Sequence, residues 1–229
     1  MISIIIPIYN QASKVDDCLK SILSQSYADW EVILVNDGST DDIESVVAHW
    51  KEKFPEGRFE YFSKENEGSN PTRNFGFDHS RGDYLLFCDA DITMRDDMLE
   101  KMKEALDEHP DKSFAYCSFM YGRKLFRLFE YSEERLRKMP FIHASSLIRR
   151  EHFPGFDNTI RRLQDWDVWL TMLNQGHTGI WIPETLFTVK TGGHISSWVP
   201  KAAYKLLPFL PAVKKYKEAM VHIKRKHSL

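Results

Sequence analysis

The sequence predicts an α/β domain in which a mostly parallel central sheet carries helices on both faces. Two observations lead to this prediction. Short apolar runs bounded by turn residues alternate, along the first 119 residues, with stretches whose apolar residues recur at helical spacing. The apolar runs also lack the polar and apolar alternation of a half-exposed sheet, which indicates strands buried on both faces. Such strands, each followed by a helix, are typical of parallel sheets.

Each element of the first half has its own local signal in the sequence. Pro7 ends the first strand, and Pro71 stands in the first turn of a helix, where proline is tolerated. The predicted strands are residues 2–6, 30–35, 59–62 and 84–88. The predicted helices cover residues 15–23, 43–54, 70–79 and 98–106.

The regular alternation ends after a strand predicted at residues 113–119. Residues 120–140 are rich in Arg, Lys and aromatic side chains and show no clean period. A strand at 145–148, a helix at 165–174 and a strand at 179–182 follow. The change in rhythm indicates that the second half of the chain is built differently from the first.

No linker divides the chain into two folding units, so we expect a single domain followed by a tail. The expected boundaries are residues 1–197 for the domain, with halves of 1–119 and 120–197, and residues 198–229 for the tail. The second half is expected to complete a site that begins in the first half.

The composition is that of an ordinary globular protein, with 42% apolar and 28% charged residues. The N-terminus leads directly into a strand, without the basic leader or cleavage site of a secretion signal. The apolar runs fall well short of the ~20 residues that a membrane-spanning helix needs. Three widely spaced cysteines, without metal-ligand spacing, favour a reduced setting. We therefore expect a cytoplasmic protein, soluble or peripheral to a membrane.

Basic residues are concentrated in the predicted tail. Residues 198–229 contain eight Lys/Arg and one acid, which leaves 23 basic and 32 acidic residues in the rest of the chain. Apolar residues recur there at helical spacing from Val213 to Ile223, with lysines around them. Such a segment can lie on an anionic membrane. Alternatively, it packs its apolar stripe on the domain and leaves a solvated basic face.

A polar segment follows each of the first four predicted strands. In open α/β sheets, ligands bind beyond the carboxyl ends of the strands. Each segment alone is compatible with an ordinary turn. Four such segments that meet at one edge, with carboxylates among them, indicate a small-molecule site. The segments are residues 7–10, 36–41, 66–68 and 89–91.

The last of these segments is the most informative. Asp89 and Asp91 come at the end of a buried strand and, one pleat apart, point to the same side. Hard oxygen ligands in this position suit Mg²⁺ or Mn²⁺, which in turn can neutralise a diphosphate. A strand-ending turn is the simpler alternative, because Asp is common in turns.

Together, these segments resemble glycosyltransferase family 2, whose members have the GT-A fold. The resemblance lies in the order and spacing of six runs over roughly residues 1–190. The runs are Ile4-Ile5-Ile6-Pro7-Ile8-Tyr9-Asn10, Val35-Asn36-Asp37-Gly38-Ser39-Thr40-Asp41, Asn66-Glu67-Gly68, Arg73-Asn74-Phe75-Gly76, Asp89-Ala90-Asp91 and Gln164-Asp165-Trp166-Asp167-Val168-Trp169-Leu170. No single run is specific, but the combination is.

The resemblance implies an inverting enzyme that moves a sugar from a nucleotide-diphosphate donor to an acceptor hydroxyl. A UDP-sugar is the expected donor, and Mn²⁺ or Mg²⁺ is the implied cofactor. The expected acceptor is a saccharide or a lipid-linked molecule, in polysaccharide, lipopolysaccharide or glycolipid assembly. No nucleic acid is expected as a partner.

The resemblance also assigns roles to individual residues. Pro7 and Tyr9 are expected to form a wall of the base pocket, and Asp37 to accept hydrogen bonds from the base or ribose. Asp91 and His194 are the expected metal ligands. The expected nucleotide-sugar-binding residues are Pro7, Tyr9, Asn10, Asp37, Asn66, Gly68, Arg73, Asp89 and Ala90.

Inversion by direct displacement needs a carboxylate on the face opposite the leaving group, to take the proton of the acceptor. Asp165 occupies that position in the acidic motif of the family. Asp167 is a second carboxylate, but in a helix it points roughly 200° away. Asp165 is also typical of a helix N-cap. Gln164 stands where relatives commonly have an acid, so a non-catalytic nucleotide-sugar-binding protein of the same fold is the alternative.

Two other enzyme classes lack their motifs in this sequence. A dehydrogenase needs Gly-x-Gly-x-x-Gly after the first strand, where this chain has Pro7-Ile8-Tyr9-Asn10. The glycine-rich, arginine-containing N-terminal loop of sugar nucleotidylyltransferases is also missing. The transferase is therefore the preferred interpretation.

Overall fold

The computed structural model describes residues 1–190 and 209–229. Within these residues, nine strands form one sheet. The strands are β1 (Ile2–Ile8), β2 (Trp30–Asp37), β3 (Phe59–Lys64), β4 (Tyr84–Phe87), β5 (Ile92–Met94), β6 (Phe114–Tyr121), β7 (Lys124–Phe126), β8 (Leu147–Arg149) and β9 (Gly179–Val189). The helices are α1 (Ala12–Leu23), α2 (Ile43–Lys51), α3 (Ser69–Asp78), α4 (Met98–Glu108), α5 (Glu133–Lys138), α6 (Gln164–Asn174) and α7 (Pro211–Lys226). Among these described helices, none is long and apolar enough to span a bilayer.

The sheet combines a parallel half with a mixed half. Its spatial order is β3-β2-β1-β4-β8-β6-β9-β5, and β7 pairs with β6. The first four strands are mutually parallel, whereas β8 is antiparallel to both β4 and β6. β6 and β9 run parallel to each other, and β5 is antiparallel to β9. The predicted α/β fold is confirmed, and the parallel pairing is concentrated in the first half.

Strand direction decides which segments meet at the edge where ligands bind. Because β8 reverses direction between β4 and β6, β6 and β9 point the same way as β1, β2 and β4. The carboxyl ends of β1, β2, β4, β6 and β9 therefore reach one edge of the sheet. The segment before β8 reaches the same edge.

The core is centred on β1, whose isoleucine side chains are fully or almost fully buried. α3 packs over β1 and β2. This close approach requires Gly76, because a Cβ at that position would lie 2.5 Å from Cγ2 of Ile5. The contact fixes α3 against the sheet and brings Arg73, one turn earlier on the helix, to the edge where the strands end.

The structure contains three short elements that the sequence pattern did not predict: β5, β7 and α5. Each spans six residues or fewer, which is too short for a period to be recognised. β9 is also longer than the strand predicted at residues 179–182, because it continues beyond Pro183 to Val189. A β-bulge accommodates the proline, since pairing with β6 skips Pro183 and Glu184 and resumes at Thr185.

The tail helix α7 packs against the domain. Val213 and Ile223 are fully buried, and Ile223 and Met220 pack in or against the core of the domain. At its C-terminal end, Nε2 of His227 lies 2.7 Å from Oδ1 of Asp167, and Nζ of Lys226 donates to Oδ2 of Asp167 at 2.9 Å. Of the two arrangements that the sequence allowed for this stripe, the structure shows the packed one.

Candidate functional site

A cavity of about 520 Å³ opens at this edge of the sheet. The ends of β1, β2, β4, β6 and β9 surround it, together with α3, the segment before β8 and the start of α6. Nine of the twelve residues that the sequence singled out contribute to its lining. They are Pro7, Tyr9, Asp37, Asn66, Gly68, Arg73, Asp89, Asp91 and Asp165. Residues from distant parts of the chain thus meet in one pocket.

The other three predicted residues are placed differently. Ala90 is completely buried and does not line the cavity. Oδ1 of Asn10 accepts a hydrogen bond from N of Thr40 at 2.7 Å, and N of Asn10 donates to Oγ of Ser39 at 3.0 Å. Asn10 therefore joins the loops that follow β1 and β2. His194 lies outside the described residues.

Asp37 organises the loop between β3 and α3. Its buried carboxylate accepts hydrogen bonds from N of Glu67 at 3.0 Å and from N of Gly68 at 2.9 Å. Nζ of Lys64 donates to the same carboxylate at 3.1 Å, and Nδ2 of Asn66 donates to the main-chain oxygen of Asp37 at 2.9 Å. A carboxylate offers about four acceptor sites. One site is left for a ligand, on a side chain whose orientation is already fixed.

An ion pair in the cavity lining joins α3 to the end of β4. Nη2 of Arg73 donates to Oδ1 of Asp89 at 2.7 Å, and the guanidinium lies 5.2 Å from the ring centroid of Phe156. Burial raises the pKa of the Asp89 carboxyl, but Arg73 and His143 outweigh burial and hold the pKa below its usual value. Asp89 is therefore ionised at neutral pH.

Asp91 is in a different electrostatic state. Burial and the nearby Asp89 carboxylate raise the pKa of Asp91 to about 6, against a smaller opposing effect of Lys14. Two carboxylates this close repel one another when both are ionised. A bound cation relieves that repulsion, so Asp89 and Asp91 together form an attractive place for one.

The donor set at Asp89 and Asp91 fits one kind of metal site. Within residues 1–190 and 209–229, no group of three or more His, Cys, Asp or Glu side chains is arranged to hold a metal ion. Mg²⁺ in nucleotide-binding enzymes is usually held by one or two carboxylates, with phosphate oxygens and water completing its shell. The two carboxylates fit such a shared site and not a closed protein cage.

His143 lies close enough to Asp89 and Asp165 to interact electrostatically with both carboxylates. Its Nδ1 accepts a hydrogen bond from N of Ser145 at 3.0 Å, which places the proton of the neutral ring on Nε2. Burial lowers the pKa of His143 although both carboxylates act to raise it. The imidazole is therefore neutral near pH 7.

Asp165 lies in the first turn of α6 and lines the cavity. Its Oδ1 accepts a hydrogen bond from N of Trp166 at 2.9 Å. Burial raises the pKa of the carboxyl, and His143 is the largest opposing influence. The helix begins at Gln164 after Leu163, which has φ of 60°, so Asp165 is not the N-cap residue.

Asp167 takes no part in the described lining of the cavity. Its carboxylate is buried and is held by Lys226 and His227, as described above. Gln164 does line the cavity, and its Nε2 donates to the main-chain oxygen of Arg161 at 3.2 Å. Of the two acids in the motif, only Asp165 faces the cavity.

Sequence reasoning missed His143 and three aromatic lining residues, Phe119, Tyr121 and Phe126. The polar segments that point to this edge in the sequence all follow predicted strands. His143 precedes β8, and β8 runs against β4, so its amino end lies at the ligand edge. The histidine could be identified as a site residue only once the direction of β8 was known.

Comparison with known proteins gives the family of the chain. Residues 3–168 match the model of Glycosyl transferase family 2. TuaG of Bacillus subtilis (strain 168) is 31% identical over 195 residues, which cover 81% of this chain and 77% of TuaG. An uncharacterized glycosyltransferase of Rickettsia bellii (strain RML369-C) is 36% identical over 122 residues, 53% of this chain, and the chain spans 17% of its length. The protein belongs to glycosyltransferase family 2.

Solved structures show the same fold. S. aureus TarS 1-349 in complex with UDP-GlcNAc gives a TM-score of 0.73 at 18% identity, over 87% of this chain and 61% of that chain. Mannosyltransferase PcManGT from Pyrobaculum calidifontis, in complex with GDP-Man and Mn²⁺, gives 0.69 at 23% identity, over 90% and 59% of the two chains. These similarities confirm the expected GT-A fold.

Replacing Asp165 with Asn should stabilise the protein near neutral pH. A carboxyl whose pKa is raised by folding ionises first in the unfolded chain, so the folded state loses stability as pH rises above about 4. The neutral amide avoids this loss. Calorimetry should give a higher melting temperature for Asp165→Asn than for the parent at about pH 8, with the difference shrinking towards about pH 4. A variant less stable than the parent at both pH values would contradict this account of the carboxyl.

Proposed function

We propose that the protein is an inverting glycosyltransferase that moves a sugar from a nucleotide-diphosphate donor to an acceptor hydroxyl. One observation carries the proposal: the pair Asp89 and Asp91 lines the same cavity as Asp165, a third carboxylate whose pKa is raised. The pair suits a diphosphate with its cation, and the third carboxylate suits proton transfer. We extend the proposal to a UDP-sugar donor and a saccharide or lipid-linked acceptor, in polysaccharide, lipopolysaccharide or glycolipid assembly.

The proposed donor lies across the ends of β2, β1 and β4. Its base and ribose lie against Pro7, Tyr9 and Asp37, and its diphosphate lies near Asp89 and Asp91. Tyr9 is 45% exposed, so its ring is accessible to a planar base, and aromatic rings stack well on bases. The structures of TarS with UDP-GlcNAc and of PcManGT with GDP-Man support a nucleotide-sugar donor.

Mn²⁺ or Mg²⁺ is the proposed cofactor, with Asp91 as its main ligand and Asp89 beside it. When bound, such a cation offsets charge on the leaving diphosphate. The protein itself contributes Arg73, which keeps Asp89 ionised and correctly placed. The Mn²⁺ in the PcManGT structure supports this choice of metal. His194 remains a proposed ligand from outside the described residues.

Asp165 is the proposed general base. The acceptor oxygen forms a bond to the anomeric carbon while the bond from that carbon to the diphosphate oxygen breaks, and the acceptor proton passes to Asp165. A carboxylate with a raised pKa is a stronger base than an ordinary one, which favours this transfer. His143 is neutral, so it does not tie up the Asp165 carboxylate in an ion pair.

A cytoplasmic location, with weak contact between the tail and anionic membranes, is also part of the proposal. α7 exposes Lys214, Lys215 and Lys217. Ile223 packs in the core of the domain, whereas Val221 is exposed. The proposed contact rests mainly on charge and is screened by salt. Such a contact suits an acceptor that is carried on a lipid.

Asp165→Asn should reduce the turnover number by about 10²–10⁴-fold, the usual contribution of a general base, and leave donor affinity nearly unchanged. The measurement is release of UDP from a panel of UDP-sugars with Mn²⁺ and saccharide acceptors. Asp167→Asn is the control, because this carboxylate holds the tail and does not line the cavity. It should lower stability and leave turnover intact below the melting transition.

Two results would contradict the assignment of Asp165. Turnover that falls for Asp167→Asn but not for Asp165→Asn would mean that the other carboxylate is the base. UDP binding without UDP release from any donor would favour the non-catalytic nucleotide-sugar-binding protein.

Asp91→Asn should lose most of the affinity for UDP measured by calorimetry with Mn²⁺, because the cation loses its main protein ligand. Chelation of the metal by EDTA should have the same effect on the parent protein. Asp96→Asn is the matched control: Asp96 is an exposed acid of the same segment and lies outside the cavity lining. The proposal fails if UDP affinity is equal in parent and Asp91→Asn, or indifferent to EDTA.

A further inference from the structure

We propose that the β6–β7 hairpin is an acceptor subsite for a saccharide that carries a carboxylate or phosphate group. The sugar ring stacks on Tyr121 and Phe126, and the anionic group pairs with Lys124. The subsite belongs to the cavity already described, so it rests on the proposed function and names the acceptor class.

The register of the hairpin places Lys124 on the face that carries the aromatic lining of the cavity. Side chains alternate between the two faces of paired strands. Phe119 lies opposite Phe126, and Tyr121 lies opposite Lys124, so the four residues share one face. Phe119, Tyr121 and Phe126 line the cavity. Nζ of Lys124 lies 4.8 Å from the ring centroid of Phe126, which brings a positive charge to the edge of the aromatic surface.

The opposite face of the hairpin provides an internal comparison. Leu125 and Arg127 alternate with the cavity-facing residues and line a separate depression together with Trp181. Arg127 carries the same charge as Lys124 and is only three residues away. Neither Lys124 nor Arg127 is among the residues that line the main cavity, but only Lys124 shares a face with its aromatic lining. The two cations can therefore be distinguished by experiment.

The aromatic surface is closely packed against neighbouring rings. The ring of Phe119 stacks between those of Phe126 and Phe187, with centroids 5.0 and 5.1 Å apart and planes within 2°. The His143 ring packs against Phe119 at 5.1 Å. A fixed aromatic face binds a sugar ring with little ordering cost. Such faces carry partial negative charge, which suits the weakly positive C–H groups of a pyranose.

The hairpin stands on the acceptor side of the proposed diphosphate position. The sheet order in this region is β2-β1-β4-β8-β6. β2, which carries Asp37, lies two strands from β4 on one side, and β6, which carries Phe119, lies two strands from β4 on the other. Two strand spacings amount to about 10 Å. The aromatic surface and the proposed nucleobase site therefore lie on opposite sides of Asp89. The surface adjoins His143, which is next to the proposed general base Asp165.

Charge favours an anionic acceptor at this place. Four carboxylates line the rest of the cavity: Asp37, Asp89, Asp91 and Asp165. Residues 114–129, in contrast, contain three basic residues and no acid. An anionic group on the acceptor is repelled by the carboxylates and attracted to Lys124, which orients the acceptor. A neutral saccharide gains nothing from the lysine.

Binding of matched saccharides to the full chain, in the presence of UDP and Mn²⁺, tests this subsite. One pair is a hyaluronan tetrasaccharide and its carboxyl-reduced form, and the other is maltose 6′-phosphate and maltose. NMR titration gives each dissociation constant. We expect the anionic member of at least one pair to bind about threefold or more tightly, as for a partly exposed ion pair. The pair that shows the preference distinguishes carboxylate from phosphate.

Three variants assign the preference to individual side chains. Lys124→Gln should abolish it and leave binding of the neutral member unchanged. Arg127→Gln, the matched control on the other face, should keep it. Phe126→Ala should weaken both members of a pair because the stacking surface is lost. UDP affinity should be the same in all three variants.

Equal binding of charged and neutral members by the parent would overturn the proposal, as would no binding of either pair. Loss of the preference in Arg127→Gln to the same degree as in Lys124→Gln would also overturn it. Failure of the proposed function gives a different result from failure of the subsite. If the protein is not a UDP-sugar transferase, UDP binding and release are absent while the saccharide preference persists.

Discussion

The ion pair between Arg73 and Asp89 is the interaction on which the rest of the site depends. The arginine side chain is 9% exposed and the Asp89 side chain 37%, so the guanidinium is the buried partner and loses its charge partner if Asp89 is removed. Paired, the two side chains connect α3 to the end of β4. Gly76 fixes α3 against β1, and Asn70 and Asn74 donate to main-chain oxygens of the segment before α6. The contacts that hold α3 against β1, the end of β4 and the segment before α6 therefore also place the site.

Three acids of one cavity are held in different electrostatic states. Arg73 keeps the pKa of Asp89 low, whereas burial raises the pKa of both Asp91 and Asp165. Environments that separate the pKa values of neighbouring acids allow them to take different roles. Asp89 thus stays ionised and holds Arg73 in place. Asp91 is stabilised in its ionised form by a bound cation, and the raised pKa of Asp165 suits a proton acceptor.

The parallel half of the fold could be predicted from the sequence because its signals are local. Apolar runs mark the strands, helical stripes mark the helices, and polar residues such as Asp37 follow the strand ends. The rest depends on distant pairing. The direction of β8 is set by β4 and β6, so no local pattern places His143 at the site. The hairpin register that puts Lys124 on the same face as Phe119 and Phe126, and the contact of His227 with Asp167, likewise form only in the folded chain.

Crystals of the protein grown with UDP and Mn²⁺ test the central claim most directly, through an anomalous difference map at the manganese edge. The account predicts a single strong peak in direct contact with a carboxylate oxygen of Asp91 and with the diphosphate, and the uracil beside Tyr9 and Asp37. A peak away from Asp91, or a nucleotide bound outside the cavity between β2 and β6, would contradict it.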